Sequence, residues 1–150
     1  MGLKDLKSAI LKAEKISCDA NCFIYYFEAH KKFGPLAKEI FEALKKEKIK
    51  IFCSTILLTE LLVSPFRDKD KNLISLYLSL KEREGFTFVA PSVDIAIQAA
   101  KLRAKYNVKA PDAIHLATAI DSEVGFFITN DEKLKKVEEI ETLVLKDFTP

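Results

Sequence analysis

Apolar positions along the chain follow two alternating rhythms. Short runs suit strands: "KISC" before Asp19, "IKIFC" over 49–53, "GFTFVA" over 85–90 and "GFFITN" over 125–130. "ETLVLK" over 141–146 suits a last strand. The segments between them repeat at helical spacing. "ANCFIYYFEAHKK" follows Asp19, and "GPLAKEIFEALKKEK" over 34–48 sets Leu36, Ile40, Phe41 and Leu44 on one face. "KNLISLYLSLKER" over 71–83, "VDIAIQAAKLRAKYN" over 93–107 and "PDAIHLATAIDSEV" over 111–124 predict further helices, and "DEKLKKV" over 131–137 a short one. Strands alternating with helices predict an α/β fold with a mostly parallel sheet, and right-handed crossovers put helices on both its faces.

One helix breaks its own pattern. "STILLTELLVSP", Ser54 to Pro65, is greasy except for Glu60, which has Ile56 four residues before it and Leu57 three before. Leu58, Leu61 and Leu62 leave little polar face, and a lone carboxylate is costly to bury unless it is paired or protonated. In a parallel α/β sheet, ligands bind outside the carboxyl ends of the strands. Three aspartates fall there: Asp19 ends the first strand, Asp131 follows "FFIT", and Asp112 opens the helix "DAIHLATAI". Each aspartate also suits a helix N-cap, which is worth about 1 kcal/mol over alanine. A mid-helix glutamate caps nothing, so Glu60 is expected to point toward the same edge. Two ionised carboxylates about 4 Å apart repel by about 4 kcal/mol at an effective dielectric near 20. Protons or a cation must relieve this, and an all-oxygen set suits Mg²⁺ or Mn²⁺ and hence phosphate chemistry.

Composition narrows the setting. The 150 residues are expected to form one domain, 1–150, with 49% hydrophobic and 31% charged residues as in a soluble globular protein. With 24 basic and 22 acidic residues the net charge is +2, so a basic surface for nucleic acid would have to be local. No apolar run reaches the roughly 20 residues that cross a bilayer, and the first fifteen residues have no signal-peptide core, so no membrane association and a cytoplasmic address are expected. Cys18, Cys22 and Cys53 each sit beside apolar residues and read as core positions in a reducing compartment. A zinc site from Cys18, Cys22 and His30 lacks a further ligand at convincing spacing.

Four segments, in order from Ile16 to Asp131, resemble the signatures of the PIN domain family, in its VapC-type, toxin-like form. "ISCDANCFIYYFE" is similar to the family's opening strand and its acid, "STILLTELLVSP" to the Ser/Thr-rich helix start with the family glutamate, and "KAPDAIHLATAI" and "FFITND" to its two C-terminal motifs. The resemblance implies a three-layer α/β/α sandwich whose acids Asp19, Glu60, Asp112 and Asp131 bind Mg²⁺ or Mn²⁺ and hydrolyse RNA phosphodiesters. Thr129 and Asn130 fall on polar positions beside the last acid. Ala20 departs from the pattern, standing where many members carry threonine. Small members are often toxins paired with an antitoxin and are often homodimers, so both partners are expected alongside an RNA substrate.

Other candidates have plainer roles. Ser54 is expected to cap the helix first and to contact the acids second. His115, one turn after Asp112, is expected to be structural, and His30, beside Lys31 and Lys32, to face solvent. Arg103, Lys109 and "LKK" over 134–136 are phosphate-anchor candidates competing with ordinary solvated charge. Tyr25, Tyr26 and Tyr106 could stack on bases, against core packing for the first two. Three other functions compete. A PIN nuclease that processes RNA would work without an antitoxin. A receiver-like or phosphatase domain would need an acidic pair before Asp19, or an acid where Asn21 stands. A non-cutting PIN scaffold would be expected to have lost acids.

Overall fold

A computed structural model describes all residues, 1–150. Helix α1 (Leu3–Ala13) leads into β1 (Lys15–Cys18), α2 (Ala20–Phe27), α3 (Gly34–Lys45) and β2 (Lys50–Ser54). Then come α4 (Ile56–Asp68), α5 (Lys71–Leu78), β3 (Phe86–Val89), α6 (Val93–Tyr106), α7 (Ala110–Asp121), β4 (Phe126–Thr129) and β5 (Thr142–Val144). Short 3₁₀ turns cover Ser79–Glu82, Glu132–Lys136 and Leu145–Phe148. The strands form one sheet in the order β3-β2-β1-β4-β5, and every adjacent pair is parallel.

The register explains the two-faced core. Ile16 lies beside Ile51 and Phe126, while Ser17 lies beside Phe127. Since side chains alternate along a strand, Ile16, Cys18, Ile51, Cys53, Phe126 and Ile128 face one layer. There they meet Leu6 and Ile10 of α1, Phe23 of α2, Ile40 and Phe41 of α3, and Leu57 and Leu61 of α4. Phe127 faces the other layer, against Ile95, Ala99 and Leu102 of α6 and Ala113 and Leu116 of α7. The result is the expected α/β/α sandwich, with a sheet that is wholly parallel.

Several expectations need amending. Helix α1 has no counterpart in the expected elements, because charges are spread through it and its buried stripe is only Leu6 and Ile10. The helix expected over 71–83 ends at Leu78 and tightens into a 3₁₀ turn. Asp112 does not open its helix: α7 starts at Ala110 with Pro111 in its first turn, so Asp112 is the third helical residue and its capping role falls away. No helix is long and apolar enough to cross a membrane.

The strand order positions the site. From β1 the chain moves outward through β2 to β3, then returns to β4 on the other side of β1 and continues to β5. The sheet therefore reverses its winding between β1 and β4, and loops leaving these two strands diverge to leave a crevice. Asp19 directly follows β1, and Asp131 lies two residues beyond β4.

Candidate active site

Asp19 is fixed from two sides. As N-cap of α2 its Oδ1 accepts the Cys22 amide N–H at 3.4 Å. Its Oδ2 accepts the hydroxyl of Thr129, a fully buried residue at the end of β4. The same Thr129 oxygen accepts the backbone N–H of Asp131 at 3.0 Å. One threonine thus holds the Asp19 carboxylate and the Asp131 backbone together at the ends of β1 and β4. Some of the Asp19 surface reaches solvent, yet protein atoms crowd it. Burial pushes its carboxyl up to about 6, against the opposing pull of the Thr129 and Cys22 hydrogen bonds and the His115 charge.

Asp131 caps the 3₁₀ turn that follows, accepting the Lys133 N–H at 3.0 Å. Asn130 braces this loop: its Oδ1 accepts the Lys146 N–H at 3.0 Å and its Nδ2 donates to the Tyr25 hydroxyl at 3.3 Å. Asp112, in the first turn of α7, is half-buried. Burial raises its carboxyl above the usual range, followed by the negative charge of Asp131 and, more weakly, that of Glu60, while His115 and Lys109 pull the other way. Asp112 therefore feels both neighbouring acids.

Glu60 is not the isolated buried charge that its flanks suggested. Leu57 and Leu61 are buried, but Thr59, Val63 and Ser64 face solvent, and the Glu60 side chain is 37% exposed. Its Oε1 pairs with Nε2 of His115, whose side chain is 2% exposed. Burial alone would lower the His115 pKa, but the hydrogen bond and charge of Glu60 outweigh it and raise it above the ordinary value. His115 is buried on the apolar side of its helix, as expected, and its partner is Glu60 itself. The two helices α4 and α7 are pinned together by this pair, directly beside Asp112.

The remaining candidates separate cleanly. Ser54 is fully buried at the end of β2 and does not cap α4, whose N-cap is Thr55; its hydroxyl instead accepts the Ile56 N–H at 3.3 Å, a local turn between strand and helix. Arg103 donates to the Val108 carbonyl at 3.2 Å, Lys135 pairs with Asp147, and the Tyr106 hydroxyl is engaged by Glu139 and the Glu138 amide. These three groups serve local structure. Tyr26 stacks on Phe41 at 4.3 Å between centroids, consistent with packing. His30 is exposed, and its Nδ1 accepts the N–H groups of Lys32 and Phe33. All three cysteines are free and buried.

A hard cation fits the all-oxygen chemistry of these carboxylates: burial raises the Asp19 and Asp112 carboxyls, and at Asp112 the Asp131 charge adds to it, so a positive ion would favour their ionised forms. The side chains as they stand are spread wider than a completed site. No three acidic, histidine or cysteine groups are close enough to share one ion. Glu60 is drawn toward His115, Asp19 toward Thr129, and Asp131 toward its own turn. The sequence pointed to the acids and to Thr129 and Asn130 beside the last of them, but not to these contacts, because Thr129 meets Asp19 and His115 meets Glu60 only through the fold.

A parallel α/β/α domain with Asp19 and Asp131 just past the two strands at its topological switch point is of the class that binds ligands at the carboxyl edge of its sheet. The family follows from the sequence: residues 16–140 match the model of the PIN domain, and the chain belongs to that family, whose members are generally nucleases. Among curated proteins none matches significantly. Among solved structures, the fold is similar to a chain of a toxin-antitoxin complex from Klebsiella pneumoniae, with 25% identity, TM-score 0.64, and coverage of 87% of this chain and 97% of that one. It is also similar to VapBC2 from Rickettsia felis bound to a promoter DNA fragment, at 15% identity, TM-score 0.67, and 87% and 98% coverage. DNA-bound VapBC from Salmonella typhimurium gives 16% identity, TM-score 0.60 and the same coverage.

Proposed function

We propose that residues 1–150 act as one PIN domain that hydrolyses RNA phosphodiester bonds with Mg²⁺ or Mn²⁺, as the toxin of a toxin-antitoxin pair acting in the cytoplasm. The observation that carries this is the match to the PIN family, with Asp19 and Asp131 just past the two strands at the switch point and Asp112 within reach of the Asp131 charge. Asp19 and Asp112 would hold the ion most directly, with Glu60 and Asp131 completing its shell. When bound, such an ion polarises a phosphate and lowers the pKa of a bound water. Thr129 holds the Asp19 carboxylate and the Asp131 backbone in one arrangement, and His115 holds Glu60. Asn130 and Ser54 keep the two loop starts in place.

The toxin role is supported by similarity to a toxin-antitoxin chain at 25% identity. It predicts a small partner protein that binds this chain and suppresses cleavage. A homodimer is proposed through the exposed apolar residues Val63 and Phe66, one turn apart on α4 and 53% and 57% exposed. Sedimentation of the purified chain should give a dimer that Phe66→Asp weakens; a monomer at tens of micromolar would end that part of the proposal.

The decisive experiment is cleavage of single-stranded RNA in Mn²⁺ by wild type and Asp112→Asn. Chelation should abolish cleavage, and the variant should lose about a hundredfold or more, the several kcal/mol that metal assistance supplies. One observation favours a second reading, a PIN scaffold that binds RNA or protein without cutting: the acids are not gathered tightly enough to share an ion. Wild-type protein that binds RNA but never cuts it in Mn²⁺ would establish the scaffold instead.

A further inference from the structure

Positive charge is nearly cancelled over the whole chain, yet residues 29–38, "AHKKFGPLAK", carry Lys31, Lys32 and Lys38 between the flanking Glu28 and Glu39. This segment spans the α2–α3 turn and the first turn of α3, beside an open concavity of about 590 Å³ lined by Tyr26, His30, Lys31, Gly34, Pro35 and Lys38. No carboxylate lines it. Three rings cluster at its edge. Tyr25 lies 4.9 Å from His30 and 5.0 Å from Phe33 between centroids, and His30 and Phe33 stack at 5.2 Å with 22° between planes. The Lys32 ammonium sits 5.4 Å over the Phe33 ring. His30 is exposed, and Tyr25 and Phe33 are half-buried, so part of the cluster faces solvent.

The cluster is also joined to the acids. The Tyr25 hydroxyl accepts from Asn130, the residue between Thr129 and Asp131. A strand lying on the rings would therefore continue toward the crevice at the carboxyl edge. Lysines beside partly exposed rings, with no acid among them, match single-stranded nucleic acid, whose phosphates want cations and whose unpaired bases offer flat faces. Duplex RNA offers phosphates but hides those faces, and an acidic protein offers charge without bases.

We infer that the concavity edged by Tyr25, His30 and Phe33, with Lys31 and Lys38, is a docking subsite for the single-stranded RNA that flanks the scissile bond. The inference rests on the nuclease reading and extends it to a second region. Lys31 and Lys38 neutralise two phosphates, and the exposed His30 ring carries a base. The Asn130–Tyr25 bond fixes the register between docked strand and acids.

The test is fluorescence anisotropy of a labelled oligouridylate of about twelve nucleotides, in EDTA so that nothing is cut. Lys31→Ala/Lys38→Ala should weaken binding about tenfold at low salt and make the salt slope shallower by about 1.4, two phosphate contacts' worth for a single strand. His30→Asn keeps an acceptor for the Lys32 and Phe33 amides while removing the ring. It should weaken binding several-fold with the salt slope unchanged. Unchanged affinity and slope in the double variant would overturn the subsite, as would an equal loss for a labelled duplex of the same length. Loss only of the inhibitory partner protein's binding, with RNA binding intact, would reassign the surface to protein docking. If wild type cuts RNA while the variants bind it normally, the subsite falls and the nuclease reading stands. If wild type neither binds nor cuts RNA, both fall.

Discussion

Asp19→Asn is expected to make the metal-free protein more stable while removing its nuclease activity. Burial raises the Asp19 carboxyl from its ordinary value to about 6, so keeping it ionised in the folded chain costs about 3 kcal/mol at neutral pH. Asparagine removes that cost. It can still cap α2, since Asn is as good an N-cap as Asp, and its amide can donate to the Thr129 oxygen that now donates to Asp19. The sign of the pH dependence follows directly. A carboxyl raised in the folded state binds its proton there before it does in the unfolded chain, so stability falls as pH rises from about 4 to about 6. Asp112 is raised and adds the same sign. His115 is also raised, so its contribution is present below its unfolded value and lost as pH rises through the folded one. In EDTA, wild type should therefore melt several degrees higher at about pH 5 than at about pH 7.5. Asp19→Asn should show a smaller pH dependence and, near pH 7.5, a higher midpoint than wild type. Added Mn²⁺ should raise the wild-type midpoint at the higher pH and do little for the variant. A variant less stable than wild type throughout would show that the buried charge is compensated by contacts other than those named.

This opposition between stability and activity bears on what could be read from the sequence. The alternation of strand and helix patterns was legible because each buried face is dictated locally: Leu36, Ile40, Phe41 and Leu44 recur at helical spacing, and all four are buried. The acids were legible for a related reason, since Asp19 and Asp131 stand immediately past strand patterns, where the parallel topology opens its crevice. Helix α1 was hidden because its two buried residues, Leu6 and Ile10, make too narrow a stripe among charges. Asp112 was misplaced by two residues because Pro111 looked like a helix boundary, whereas proline fits the first helical turn. Thr129 was expected beside the last acid, but its bond to Asp19 was hidden, as was the pairing of His115 with Glu60. Thr129 is 110 residues from Asp19, and His115 is 55 from Glu60. Nothing in local periodicity says that two such side chains will meet.

The Glu60–His115 pair carries the second large expectation, because it gives Glu60 two separable roles. If its only role were to neutralise a buried imidazole, Glu60→Gln would change stability and leave cation binding alone. The geometry favours a different division. The carboxylate is 37% exposed and touches His115 through one oxygen, and its charge also reaches Asp112. Glutamine keeps an acceptor for the imidazole N–H and loses the charge. Glu60→Gln should therefore unfold within about 1 kcal/mol of wild type, the net worth of a hydrogen bond. Its Mn²⁺ affinity, measured by calorimetry, should fall about tenfold to a hundredfold. His115→Ala is the larger stability lesion, since it empties a buried site and frees Glu60 to turn into solvent. About 2 kcal/mol or more of stability should be lost, together with part of the cation affinity, because the carboxylate is no longer held. The double variant decides between the roles. A coupling of roughly 0.5–3 kcal/mol in stability is expected for groups in contact, and Mn²⁺ affinity in the double variant should be no lower than in Glu60→Gln alone. Once the carboxylate is gone, His115 has nothing left to position. If Glu60→Gln retained full Mn²⁺ affinity, Glu60 would be the counterion of His115 and nothing more, and the acidic site would reduce to its three aspartates.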